Sequence, residues 1–189
     1  MIQWSIDVLA DAGCAPIVVA VPAAAIEEAT EAVTGDSVLV VEGGASRQMS
    51  VAAALEHVPV DHVLVHDASR PLVTTDLVRR VLEGLGRAAA VIPALPIEET
   101  LKNVTEDRVV GTLPRAGVWR SQTPQGFDTA ILKGAHGRAR EDGLETTDDA
   151  QLIEHYGGEV MIVRGDRRNV KVTYPEDIDL AEAILQARP

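Results

Sequence analysis

Asp67 stands in the run Val65-His66-Asp67-Ala68-Ser69-Arg70-Pro71, directly after the apolar stretch His62 to Val65. If that stretch is a strand, Asp67 lies at its C-terminal end, where open α/β sheets place ligands. A carboxylate there can hold Mg²⁺ on a polyphosphate, because Mg²⁺ takes one or two carboxylates and completes its shell with phosphate oxygens and water. Arg70, three residues on, can pair with a second anion. A turn capped by Asp67 and paired with Arg70 explains the same letters, and on this stretch alone both readings stand.

Gly43-Gly44-Ala45-Ser46-Arg47-Gln48-Met49-Ser50-Val51 follows another apolar run. Its glycines allow close backbone approach to a ligand. Ser50 offers a hydrogen-bond donor and Arg47 a cation. In isolation, a Gly-Gly turn capped by Ser46 is the better reading. In Gln122-Thr123-Pro124-Gln125-Gly126-Phe127 the proline enforces an extended residue before it. Thr123 is then either a phosphate donor or a turn hydroxyl. Thr146-Thr147-Asp148-Asp149 reads as a helix start, by capping and charge–dipole complementarity. Lys171 interrupts the apolar run Val170 to Thr173, which reads as a strand. A lysine there faces solvent from an edge strand or projects a point charge into a pocket.

Other chemistries find no support. The five histidines show no H-E-x-x-H spacing, and the single Cys14 cannot build a cysteine-rich zinc site. No G-x-S-x-G elbow, P-loop or G-x-G-x-x-G is present. The net charge of −12 makes nucleic acid and anionic membranes poor partners. An anionic small substrate then requires that the 17 Lys and Arg residues gather locally. With aromatics at 3%, stacking platforms for single-stranded nucleic acid are not expected. Neither a signal peptide nor a membrane span is read, and the lone cysteine suits a reducing cytoplasm.

The elements that must position these residues follow from the hydropathy pattern. The 189 residues, 46% hydrophobic, suffice for one domain with a sizeable aliphatic core. Short Val/Ile-rich runs at Ile17 to Val21, Ser37 to Val41, His62 to Val65, Ala88 to Ile92, Val160 to Val163 and Val170 to Thr173 read as buried strands. Helical spacing occupies Ile2 to Leu9, Ala24 to Val33, Ser50 to His57, Asp76 to Leu85, Thr129 to Arg140, Asp149 to Tyr156 and Glu176 to Leu185. The alternation predicts an α/β sandwich with a mostly parallel sheet. Thr100 to Val104 and Val109 to Leu113, around Thr105-Glu106-Asp107-Arg108, predict a hairpin outside that sheet. A lone hairpin is marginal in water, so a second subunit is its simplest support.

Taken together, GGASRQMSV at 43–51, VHDASRP at 65–71, ETLK at 99–102, QTPQGF at 122–127, TDDA at 147–150 and NVKVTYPEDIDLAE at 169–182 resemble the 2-C-methyl-D-erythritol 4-phosphate cytidylyltransferases. The motifs span nearly the whole chain in the family's order. The resemblance implies a Rossmann-like, mostly parallel sheet flanked by helices, of nucleotidyltransferase type. It implies a single domain over 1–189 with a protruding β-arm at about 98–116, and a homodimer through that arm. It implies transfer of a cytidylyl group from CTP to methylerythritol phosphate, with release of pyrophosphate, in non-mevalonate isoprenoid biosynthesis. Gly43, Gly44, Ser50 and Ala68 would belong to the nucleotide pocket, and Asp67 would contact Mg²⁺ or another divalent cation. Arg70, Thr100 and Thr123 would hold the acceptor, with Thr100 and Arg115 serving the partner's site. Arg115 and Lys171 would position the attacking phosphate. The family also implies a first strand and a Gly-rich loop with an Arg and a Lys, which fall upstream of Met1. A start set too far downstream, or a shortened chain, is therefore expected. Ribitol-5-phosphate cytidylyltransferase, or a catalytically silent nucleotide binder, are the alternatives.

Overall fold

A computed structural model describes residues 1–187. The chain opens with α1 (Ile2–Asp11), β1 (Ile17–Val21), α2 (Ile26–Ala32), β2 (Val38–Glu42), α3 (Arg47–Leu55), β3 (His62–Val65), α4 (Thr75–Leu85) and β4 (Ala90–Pro96). The hairpin β5 (Leu101–Thr105) and β6 (Arg108–Leu113) follows. The rest is β7 (Trp119–Ser121), β8 (Gln125–Asp128), α5 (Thr129–Asp142), α6 (Asp149–His155), β9 (Met161–Arg164) and α7 (Glu176–Gln186). Side-chain caps start several helices: Ser46 accepts from the Met49 N–H, Thr74 from Leu77, Asp128 from Ile131 and Asp148 from Gln151. Helix α5 stops at Gly143, whose φ of +64° is the left-handed conformation that glycine adopts freely.

Period-two alternation divides the core between the two faces of the sheet. Val63, Val65, Ala90, Ile92 and Phe127 face one way, against Leu55 of α3, Leu132 of α5 and Leu152 of α6. Leu64 and Val91 face the other way, against Leu77, Val78 and Val81 of α4, with Val8 and Leu9 of α1 beside them. The helices thus form two layers around the strands, the expected α/β sandwich.

The strands fall into separate hydrogen-bonded groups. β1 pairs β2 in parallel. A five-stranded sheet runs β3-β8-β4-β7, with β9 parallel to β4. β8 is antiparallel to both β3 and β4, so those two run the same way. The parallel frame is as the sequence predicts; the antiparallel β7 and β8 are not. Gln125-Gly126-Phe127 reads as a polar turn, yet it is a central strand buried on both sides. Gln125 is tolerated there because its amide donates to Ser121 and Asp148 and its oxygen accepts from the Ala150 N–H. The strand read at Val170 to Thr173 is also corrected. This segment is an extended strap whose Val172 N–H donates to Ser69 O at 2.7 Å, a loop rather than a strand edge.

The hairpin forms its own two-stranded sheet. Glu106 and Asp107 have φ of +48° and +62°, the left-handed pair that a two-residue hairpin loop needs. Val104, Val109, Val110 and Leu113 on it are exposed.

Candidate active site

The site collects where β2, β3 and the strap end. After β2 the chain turns through Gly43 and Gly44 into α3. A Cβ on Gly43 would stand 2.7 Å from Ser50 Oγ, and one on Gly44 2.3 Å from Met49 Cβ. Both glycines are therefore required by the close packing of this loop on the first turns of α3. Ser50 Oγ accepts from the Gly44 N–H at 3.1 Å and donates to Ser46 O at 2.9 Å.

Asp67 follows β3 and is gripped from two sides. Arg47 Nε donates to its Oδ1 at 3.1 Å, and Lys171 Nζ to its Oδ2 at 3.1 Å. Burial alone would raise the Asp67 pKa, but these two cations outweigh it and hold the carboxyl below its ordinary value. Arg47 reaches further: its Nη1 donates to Asp149 Oδ2 at 2.7 Å, and Asp149 Oδ1 meets His136 Nε2 at 3.0 Å. Burial opposes the Arg47 charge, but Asp149 and then Asp67 raise its pKa overall.

The Asp67 main chain is fixed as well. Its N–H donates to Thr123 Oγ1 at 3.0 Å, and that oxygen lies 3.1 Å from His66 Nδ1. His66 Nε2 lies 3.1 Å from Arg70 O. Burial pushes the His66 pKa down to about 4, so the ring is neutral near pH 7. A carbonyl only accepts, so Nε2 carries the proton and Nδ1 accepts from the Thr123 hydroxyl. Thr123 thus spends its one proton on His66 and a lone pair on Asp67. Arg70 donates through Nη1 to Asn169 O at 2.9 Å and through Nη2 to Ser121 O at 3.4 Å. Its Nε is buried with no partner among the described residues, and burial lowers its pKa despite Asp67.

A cavity of about 800 Å³ lies between β1 and β3, with α1 and α3 against it. Arg47, Ser50, Asp67, Ala68, Ser69 and Lys171 are among the residues that line it. The structure therefore brings Asp67, Ser50, Ala68 and Lys171 together, with Gly43 and Gly44 joined through Ser50 and with Arg70 and Thr123 packed behind. Thr100 and Arg115 lie elsewhere, exposed at the base of the hairpin, where Arg115 Nη1 donates to Glu98 O. Among the described residues, no hydrogen bond joins either to Asp67. Sequence reasoning missed His66, His136 and Asp149. His66 adjoins Asp67, which is a weak signal; His136 lies far from the site in sequence, and Asp149 read as part of a helix start.

The chain matches the family model for 2-C-methyl-D-erythritol 4-phosphate cytidylyltransferase (IspD) over residues 1–187. It is 42% identical over 186 residues to the curated protein of that name from Thermus thermophilus, covering 98% of this chain and 84% of that one. It is 41% identical over 148 residues to the one from Bacillus licheniformis, covering 78% and 64% respectively. The crystal structure of the Thermus thermophilus enzyme superposes with a TM-score of 0.88 at 41% identity, over 97% of this chain and 87% of that one. The 4-diphosphocytidyl-2C-methyl-D-erythritol synthase structure from Anaerococcus prevotii gives 0.88 at 27% identity, over 98% and 88%.

Proposed function

The chain belongs to the 2-C-methyl-D-erythritol 4-phosphate cytidylyltransferase family, and we propose that it transfers the cytidylyl group of CTP to methylerythritol phosphate at the site around Asp67. The observation that carries this placement is the Asp67 carboxylate, held between Arg47 and Lys171 at the end of β3. The ribitol-phosphate and silent-binder alternatives lose ground, because these relatives carry the methylerythritol name.

In the reaction, a phosphate oxygen of methylerythritol phosphate attacks the α-phosphorus of CTP and pyrophosphate leaves. Two anions must meet, so the chain's cations do the positioning. Lys171, half-exposed and tethered among the described residues only to Asp67, turns to the attacking phosphate. Arg70 is anchored by main-chain carbonyls and presents a fixed positive charge beside it. Thr123 acts on Asp67, holding its N–H; a phosphate would have to take the hydroxyl from His66. Gly43, Gly44, Ser50 and Ala68 shape the nucleotide pocket.

Asp67 suits Mg²⁺ held mainly by the nucleotide. It is one hard, ionised carboxylate, and among the described residues no cluster of three His, Cys, Asp or Glu would hold the ion unaided. When bound, Mg²⁺ supplies neutralisation of the triphosphate charge.

The hairpin joins two copies into a homodimer, burying its exposed valines and delivering Thr100 and Arg115 to the partner's acceptor site. No helix among the described residues is long and apolar enough to cross a membrane. A cytoplasmic location agrees with the free Cys14.

Pyrophosphate release from CTP, Mg²⁺ and methylerythritol phosphate tests the function. The chain is compared with a version extended upstream in its reading frame. Turnover in either supports the reaction. Its absence in both, with turnover of ribitol phosphate instead, overturns the acceptor.

A further inference from the structure

Arg47 is the first residue of α3. A cation there opposes the helix dipole, whose N-terminal end is already positive. The chain compensates with Asp149, which is 1% exposed and spends both carboxylate oxygens: Oδ2 on Arg47 and Oδ1 on His136. His136, on α5, is 6% exposed. A buried pair of this kind is costly, and apolar residues of similar volume would often stabilise a core as well or better. Among the described residues its one outward side-chain link is Arg47, and through Arg47 it reaches the Asp67 carboxylate.

We propose that His136 and Asp149 are positioning residues of the nucleotide site: they fix the Arg47 guanidinium, and Arg47 fixes Asp67. The role rests on the reading of the Asp67 site given above. Nε and Nη1 of Arg47 are both bound to carboxylates. The guanidinium is planar and rigid, so tying Nη1 to a buried anchor sets the direction of Nε and hence the position of Asp67 Oδ1. His136 closes the chain by occupying the second Asp149 oxygen, which leaves Asp149 one oxygen for Arg47.

The test compares the native chain with Asp149→Asn, His136→Leu and His136→Gln. Glutamine keeps a donor where Nε2 of the ring donates; leucine does not. The first readout is the Arg47 Nε–H signal in NMR spectra of the ligand-free protein, assigned with Arg47→Lys. It is expected to shift or broaden in Asp149→Asn and His136→Leu and to stay near native in His136→Gln. The second is calorimetric binding of CTP with Mg²⁺. Affinity is expected to fall roughly ten- to hundredfold in the first two variants and to stay within about threefold of native in the glutamine variant. If Asp149→Asn fails to fold, the leucine–glutamine comparison still decides. An unchanged Arg47 signal overturns the tether. A changed signal with unchanged binding, or equal binding by the leucine and glutamine variants, overturns the positioning role. If the native chain binds no CTP with Mg²⁺, the nucleotide-site reading falls and takes the role with it, while the Arg47 signal still reports on the tether.

Discussion

His66 couples the site to acidity. Its folded pKa, pushed down to about 4 by burial, lies below the ordinary 6.5. Between those values the unfolded chain binds a proton that the folded chain refuses, so stability falls as pH drops from about 6.5 to 4 and then levels off for this group. The loss is up to about 3 kcal/mol. Urea midpoints at pH 7 and pH 4.5 should therefore differ more in the native chain than in His66→Gln; equal differences would contradict the assignment. Asp67 acts lower on the scale: its depressed folded pKa contributes stability above the unfolded value near 4, lost as pH falls through the folded one. Lys171→Ala and Arg115→Ala should each lower turnover by at least about a hundredfold in a form that turns over, as loss of a charge-stabilising donor does. Both side chains are exposed, so their melting temperatures should move little. Unchanged turnover in both variants would remove them from the site. At this scale the motifs made Asp67, Lys171 and Arg70 legible. They did not make His66, His136 and Asp149 legible, because a buried partner is defined by what it touches across the fold.

The hairpin was legible because its strands are β-rich and its polar turn is short. Its turn residues and its independence from the main sheet agree with that reading. Four exposed aliphatic side chains on a lone two-stranded ribbon need cover. Val109→Asp with Val110→Asp should convert the proposed dimer to monomer in sedimentation, with far-UV circular dichroism unchanged; a native chain that sediments as a monomer would remove the proposal. Mixing Asp67→Ala with Arg115→Ala protomers should restore one intact site per heterodimer. No recovery, with subunit exchange confirmed, would place Arg115 in its own subunit's chemistry. By contrast β7 and β8 were not legible: three and four residues with Gln, Gly and Asp among them carry too little alternation to announce a strand. Gly126 fits there because a Cβ would stand 2.7 Å from Val81 Cγ1, a packing demand that α4 makes and the local sequence does not show.

Across the whole molecule, the β1–β2 pair and the five-stranded sheet meet around the cavity between β1 and β3 rather than through strand pairing. Ser5, 4% exposed on α1, lines this cavity with no partner for its Oγ among the described residues. The β1–β2 unit is therefore joined to the rest through helices α1 and α3. Amide hydrogens of β1 and β2 should exchange faster than those of β4 and β8, which lie inside a five-stranded sheet. Equal protection would show that the helices alone make one cooperative unit. With a net charge of −12, the chain still gathers Arg47, Arg70 and Lys171 around Asp67, the centre of the proposed site. By itself, the sequence determined the α/β alternation, the helix starts at Ser46 and Asp148 and the hairpin, each resting on neighbours within a few turns of chain, together with the order of motifs along the chain that shows the family. Only the tertiary structure decided which carboxylate each cation holds, which strands are central and where the sheet divides. Those depend on pairs such as Arg47 with Asp149, which the chain separates by 102 positions and the fold brings to 2.7 Å.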